Sequence, residues 1–130
     1  MKSLTPARLL YLTYFILIGG PLFLLATILC CIVVIIASYV GLPASFISKT
    51  TKAWSWCCLA VSLCRVTVRG REHLPSSDAP CVVVANHQSA YDIFVLNAYI
   101  GIPFKWVMKQ ELRSIPMVGK ACEAAHFIFV

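Results

Sequence analysis

The stretch VVVANHQSAYD, from Val82 to Asp92, decides how this sequence is interpreted. Its first four residues, Val82–Ala85, are apolar and predict a strand buried on both faces. Ser89 then begins Ser-Ala-Tyr-Asp, which has the spacing of a helix capping box, and the apolar run Ile93–Leu96 follows. We therefore expect His87 on the turn between a strand and a helix, where open α/β sheets bind their ligands.

The N-terminal third of the chain is almost uniformly apolar. No charged residue occurs between Arg8 and Lys49, in a chain that is 60% hydrophobic, and this predicts membrane-anchoring helices in residues 1–43. Two arrangements fit the interruption Gly19-Gly20-Pro21. Leu22–Val40 spans the bilayer, or the helices on either side of Gly19–Pro21 form a hairpin inserted from one side. Basic residues on both flanks slightly favour the hairpin.

Residues 44–65 form the second predicted unit, an amphipathic helix at the membrane interface. Polar residues recur along it at helical spacing and predict one wet face: Ser45, Ser48, Lys52, Ser55 and Ser62. Trp54 and Trp56 fit two interpretations equally well. They belong to an interfacial aromatic belt, or they pack on a sheet.

The third predicted unit, residues 66–130, begins with the strand-like alternation of Val66–Arg69. Apolar segments and helical patterns then alternate in the order Val82–Ala85, Ser89–Ile100, Phe104–Met108, Pro116–Ala125 and Phe127–Val130. This order predicts an α/β fold with a mainly parallel β-α-β-α-β core, truncated inside its last strand.

Charge and cysteine usage exclude several classes of function. The net charge of +6 suits an anionic membrane surface, and no basic cluster is interleaved with aromatic residues as in nucleic-acid grooves. The seven cysteines contain no C-x-x-C pair, so we expect no metal site and no disulfide framework. Reduced thiols are typical of a protein that faces the cytosol.

His87 and Asp92 are the candidate catalytic pair. A neutral imidazole can take a proton from an attacking hydroxyl when an acceptor holds its other ring nitrogen. Asp92 follows His87 by five residues, across a turn and one helical turn, and so can supply that acceptor. Each residue also has a non-catalytic interpretation. In that interpretation Asp92 serves only to complete a capping box with Ser89, and His87 is a turn residue bonded to the backbone.

The segment Asn86–Asp92 resembles the first motif, N-H-x-x-x-x-D, of the glycerophospholipid acyltransferase family. Val107–Leu112, followed by Pro116 and Gly119, is similar to the second block of that family, K-x-E-L…P…G. The resemblance is nearest to 1-acylglycerol-3-phosphate (lysophosphatidate) acyltransferases of bacterial type. It covers almost the whole chain, since the apolar N-terminus fits the membrane-anchoring helices of the family.

The resemblance implies a role for each of five residues. His87 is the general base and Asp92 orients it, while Lys109 contacts the phosphate of the acceptor. Arg113 and Lys105 are weaker candidates for that contact, and Lys109 is equally well explained as a solvated lysine at a strand end. The acyl donor is a thioester of coenzyme A or acyl carrier protein, used as co-substrate without a cofactor. Backbone amides at the helix start are candidate oxyanion donors.

The implied function is acylation of the free hydroxyl of lysophosphatidate to give phosphatidate, at the cytoplasmic face of a bacterial membrane. Another lysophospholipid or glycerol-3-phosphate is an alternative acceptor, and a small non-catalytic membrane binding or assembly protein is the rival class. The arginine of the third family motif would follow Val130, and the fourth motif would lie further on. The chain is therefore expected to be an N-terminal fragment that is inactive by itself.

Overall fold

A computed structural model describes residues 5–76 and 79–130, which are mostly helical. The elements in chain order are α1 (Pro6–Tyr14), a π-helical turn (Phe15–Gly19), α2 (Gly20–Tyr39), α3 (Ala44–Val61), a 3₁₀ turn (Arg71–His73), α4 (Tyr91–Tyr99), β1 (Val107–Met108), a second 3₁₀ turn (Gln110–Ser114), α5 (Val118–Ala124) and β2 (Ile128–Phe129).

Together, α1, the π turn and α2 form one continuous helix of 34 residues, Pro6–Tyr39. This helix is long and apolar enough to cross a membrane. The predicted hairpin at Gly19–Pro21 is therefore wrong. The amide of Gly20 donates to the carbonyl of Phe15, five residues back, which widens the backbone directly before Pro21. Such a π turn accommodates the proline ring and its missing amide hydrogen without ending the helix.

The chain reverses instead after α2, at Gly41. This glycine adopts the left-handed conformation, φ 76°, that commonly ends helices. The following helix, α3, runs back along the N-terminal helix. The indole Nε1 of Trp54 donates to Thr27 Oγ1 at 3.1 Å, and the hydroxyl of Tyr14 donates to the carbonyl of Val61 at 2.9 Å. The two helices thus form an antiparallel hairpin.

The C-terminal half of the chain packs directly on this hairpin, through two apolar clusters. One joins α2 and α3 to α5, and the other joins α3 to α4. At the centre of the second, the ring of Phe94 meets the rings of Phe23 and Trp54 at 5.4 and 5.1 Å. The opposite side of α2 stays exposed and apolar, with residues that include Leu25, Leu29, Ile32, Val33 and Ile36.

The polar residues of α3 do not form one wet face. Ser55 and Ser62 are buried, and the hydroxyl of Ser55 accepts a hydrogen bond from Asn97 Nδ2 at 2.8 Å. The small side chain of Ser55 allows α4 to approach closely, and Asn97 supplies the partner that this buried hydroxyl needs. The hydroxyl of Ser62, which follows the last residue of α3, has no hydrogen-bond partner among the described residues. The two tryptophans of α3 also pack on α4 and not on a sheet, since Trp56 lies 4.7 Å from the ring of Tyr99.

Two short strands, β1 and β2, pair in parallel with Val107 opposite Ile128 and Met108 opposite Phe129. Because α5 lies between them in sequence, they form one β-α-β unit. The parallel pairing predicted for the last two apolar segments is confirmed. The helices predicted at Ser89–Ile100 and Pro116–Ala125 are also present, in slightly shorter form.

The strand predicted at Val82–Ala85 is absent, and so is the one at Val66–Arg69. Val82 and Val84 are 90% and 89% exposed. A strand needs a neighbour that supplies its backbone hydrogen bonds, and within residues 5–76 and 79–130 no strand lies beside either segment. The described fold is therefore mostly helical, with a single parallel strand pair, and the α/β prediction is correct only in part.

Gly119, in the first turn of α5, lies against the backbone of Arg113. A Cβ atom added at this position would collide with the Arg113 carbonyl oxygen. We expect Gly119→Ala to lower the free energy of unfolding by about 1–3 kcal/mol, since overpacking forces the backbone to move. Chemical denaturation in mild detergent measures the change.

Lys120→Ala is the matched control, because this neighbouring side chain is exposed. Its effect should stay within about 0.5 kcal/mol. Equal stability of the two variants would contradict the close approach of α5 to the Gln110–Ser114 turn.

Candidate active site

Asp92, in the first turn of α4, organises the loop that precedes this helix. Its Oδ2 atom accepts hydrogen bonds from the backbone amides of Gln88 at 2.7 Å and Ser89 at 2.8 Å. A carboxylate is favoured here because the first amides of a helix lack intrahelical partners and carry partial positive charge. The loop is thereby folded back onto the start of α4.

The predicted capping box is present in a shifted form. One of its two hydrogen bonds is as expected, because the Asp92 carboxylate accepts from the backbone amide of Ser89. The hydroxyl of Ser89 accepts from the amide of Tyr91 at 3.2 Å, while the amide of Asp92 donates to the Ser89 carbonyl at 3.0 Å. The amides of Gln88, Ser89 and Tyr91 are all occupied, so they do not supply the oxyanion donors suggested for the helix start.

His87 and Asp92 are in contact, with 3.3 Å between His87 Nδ1 and Asp92 Oδ2. A carboxylate accepts a hydrogen bond and donates none, so this contact favours the tautomer with the proton on Nδ1. The lone pair of Nε2 is then available. The His87 side chain is 67% exposed and that of Asp92 is 32% exposed, so the imidazole is open to a substrate while its partner is partly covered.

The charge of Asp92 is maintained by its surroundings. Hydrogen bonds from the Ser89 and Gln88 amides hold the pKa of the Asp92 carboxyl below its usual value of 3.8, and His87 contributes less in the same direction. The group therefore remains a carboxylate at neutral pH. It can hold the imidazole in one orientation and stabilise the imidazolium that forms when Nε2 takes a proton.

The predicted phosphate-binding residues lie around the strand pair. Lys109 is exposed directly after β1. The guanidinium of Arg113 forms an ion pair with Glu123 and lies 5.8 Å from the ring centre of Phe129. Glu123 thus offsets the charge of Arg113, whereas Lys109 forms no ion pair within the described residues. Sequence spacing gives no sign of the Arg113–Glu123 ion pair.

Lys105 is bonded to the backbone at the end of α5. Its Nζ donates to the carbonyl of Ala125 at 2.5 Å and lies 6.0 Å from the ring centre of Phe127. Within the described parts of the chain, no group of three or more His, Cys, Asp or Glu side chains converges as metal ligands would.

The support of α4 is a feature that the sequence did not reveal. Asn97 Nδ2 donates to the carbonyl of Thr51 and to Ser55 Oγ, each at 2.8 Å. Phe94 fills the aromatic cluster that α2 and α3 provide. Both residues face α3 from α4, so the helix that carries Asp92 is fixed to the N-terminal hairpin. Only the spacing of Phe94 and Asn97 on one helix face hints at this contact.

Comparison with known proteins gives a consistent result. A family model described as "Acyltransferase" matches residues 65–130, half of the chain, and includes the loop of His87. A 1-acyl-sn-glycerol-3-phosphate acyltransferase of Chlamydomonas reinhardtii is 32% identical over 112 residues, which are 85% of this chain and 32% of that protein.

Two further relatives carry the same name. The Pseudomonas aeruginosa protein is 37% identical over 73 residues, which are 52% of this chain and 27% of that protein. The human protein, of type alpha, is 39% identical over 66 residues, 51% of this chain and 23% of that protein. The chain thus spans a third or less of these relatives, and no solved structure matches it.

Protonation of Asp92 should release the loop. Since the folded-state pKa lies below 3.8, the carboxylate stabilises the loop above that pH, and this contribution is lost as the pH falls through the folded-state pKa. We expect the amide NMR signals of Gln88 and Ser89 to titrate together, with a midpoint below 3.8. Asp92→Asn should abolish both titrations. A midpoint at or above 3.8 would contradict the assigned hydrogen bonds.

Proposed function

This chain belongs to the acyltransferase family, and we propose on that basis that the protein transfers an acyl group to the free hydroxyl of 1-acylglycerol-3-phosphate, giving phosphatidate. The contact between His87 and Asp92, inside the matched region, is the observation that carries this proposal. The donor is an acyl thioester of coenzyme A or acyl carrier protein. The names of the relatives support the acceptor, and another lysophospholipid or glycerol-3-phosphate remains the alternative.

The proposed mechanism begins with proton transfer from the acceptor hydroxyl to His87 Nε2. The oxygen attacks the thioester carbonyl as that proton leaves, and a tetrahedral oxyanion forms. When it collapses, the C–S bond breaks and the departing thiolate takes the proton back from the imidazolium. Asp92 stays ionised throughout and stabilises the imidazolium. General-base catalysis of this kind contributes about 10²–10⁴ to the rate.

Lys109 is the proposed ligand of the acceptor phosphate, with Arg113 as a second contact. The ammonium of Lys109 is exposed at the end of β1, whereas the guanidinium of Arg113 already pairs with Glu123. A lysine acts as a compact point charge, which suits a phosphate that has to arrive and leave in every cycle.

We further propose that Pro6–Tyr39 attaches the protein to a membrane from one side. The apolar outer face of α2 is open to lipid, but α3 and α5 cover its other face. Charged residues of α5, Lys120 and Glu123, would enter the hydrocarbon core if the packed part of α2 crossed the bilayer, which is costly. The free cysteines favour the cytoplasmic side. Relatives from an alga, a bacterium and a human leave the kind of membrane open.

Replacement of the proposed base tests the function. We expect His87→Ala to reduce phosphatidate formation by about 10²–10⁴-fold, because no other group takes the hydroxyl proton. The protein is expressed from its coding sequence, including any that follows Val130. Membranes are assayed with 1-oleoylglycerol-3-phosphate and labelled oleoyl thioesters of coenzyme A and acyl carrier protein.

His73→Ala is the matched control, since His73 is an exposed histidine outside the candidate site, and its activity should be unchanged. Both variants should sediment with membranes as the protein without substitutions does. Full turnover by His87→Ala would refute the mechanism. If the protein without substitutions forms no phosphatidate, the non-catalytic alternative is favoured.

A further inference from the structure

An open cleft of about 510 Å³ lies beside α3, at the end of α4 remote from Asp92. It is bounded by the first turns of α3, the segment 101–105 and Phe127. His87, Asp92, Lys109 and Arg113 do not line it, whereas Asn97, near the end of α4, does. Lys105, the weaker phosphate candidate, also lines it and is bonded to the carbonyl of Ala125. The cleft is therefore distinct from the candidate active site.

Three lysines line this cleft: Lys49, Lys52 and Lys105. No acidic residue lines it, and in the parts of the chain with described coordinates none of these lysines forms an ion pair. Lys49 and Lys52 are one helical turn apart, so their ammonium groups can reach a single anion together. A concave surface with charge of one sign raises the local concentration of oppositely charged ligands.

A second, smaller pocket adjoins the cleft. Its volume is about 80 Å³, its surface is apolar, and it shares the lining residues Thr51, Ala125 and Phe127 with the cleft. Side chains of α2, α3 and α5 line it, among them Trp54 and Cys122. Because the two cavities share these three lining residues, they lie side by side, the cleft lined by lysines and the pocket by apolar side chains.

We propose that the cleft and the pocket together form an accessory site for an alkyl phosphate, a single-chain amphiphile with a phosphate monoester as headgroup. The phosphate binds Lys49 and Lys52, and the end of the chain enters the apolar pocket. Lys105, held by Ala125, supplies a fixed third charge. Charge-assisted hydrogen bonds to a dianion and burial of methylene groups each contribute to the affinity. The site is separate from acyl transfer, so binding and not turnover tests it.

Calorimetric titration of the protein in uncharged maltoside micelles tests whether the lysines bind the phosphate headgroup. Protein-free micelles are the blank. The probe is dodecyl phosphate. Lys49→Gln/Lys52→Gln should weaken its binding by about tenfold, since each lysine supplies a charge-assisted hydrogen bond. The control is Arg69→Gln/Lys120→Gln, which removes two positive charges outside both cavities and should weaken binding by less than about twofold. Equal losses in the two double variants would overturn the site.

A comparison of three probes tests whether the alkyl chain of the ligand contributes to binding. Dodecyl phosphate should bind at least about tenfold more tightly than inorganic phosphate or dodecylphosphocholine, because only it offers both a dianion and a buried chain. Equal binding of inorganic phosphate would mean a site for free phosphate and would overturn the role of the pocket. Equal binding of dodecylphosphocholine would overturn the role of the lysines.

Cys122→Leu fills the apolar pocket and gives an independent check. It should weaken binding of dodecyl phosphate while leaving that of inorganic phosphate unchanged, which also shows that the cleft remains folded. Unchanged binding of dodecyl phosphate by this variant would contradict the placement of the alkyl chain in the apolar pocket.

Discussion

One carboxylate oxygen, Oδ2 of Asp92, holds the candidate active site together. It accepts the amides of Gln88 and Ser89 and faces Nδ1 of His87. The same negative charge therefore starts α4, closes the loop and orients the imidazole. The two interpretations that the sequence left open, a helix cap and a catalytic partner, are compatible because a carboxylate oxygen accepts several hydrogen bonds at once.

The apolar N-terminal helix is part of the fold as well as the proposed membrane anchor. Phe23 and Thr27 of α2 contact Phe94 and Trp54, and Asn97 joins α4 to α3. The helix that carries Asp92 thus packs on the same hairpin whose outer face is exposed and apolar. For a reaction in which acceptor and product are both lipids, this arrangement would keep the base close to the membrane surface.

Local signals in the sequence were sufficient to predict α4, α5 and the contact between His87 and Asp92. Each of these features depends on residues only a few positions apart. Features that depend on distant partners were not predictable. Val82–Ala85 has the composition of a buried strand but no neighbour to pair with among the described residues, and the burial of Ser55 depends on Asn97, 42 residues away. The continuity of the helix past Pro21 rests on a π turn, which hydrophobic periodicity does not indicate.

The tautomer of His87 tests the central claim most directly. Nitrogen-15 NMR of the imidazole at neutral pH distinguishes a protonated Nδ1 from a protonated Nε2, and Asp92→Asn provides the comparison. If Asp92 orients the base, Nδ1 carries the proton in the unchanged protein and this preference is lost in the variant. A proton on Nε2, or the same tautomer mixture in both proteins, would contradict the assignment of Asp92 as the orienting partner.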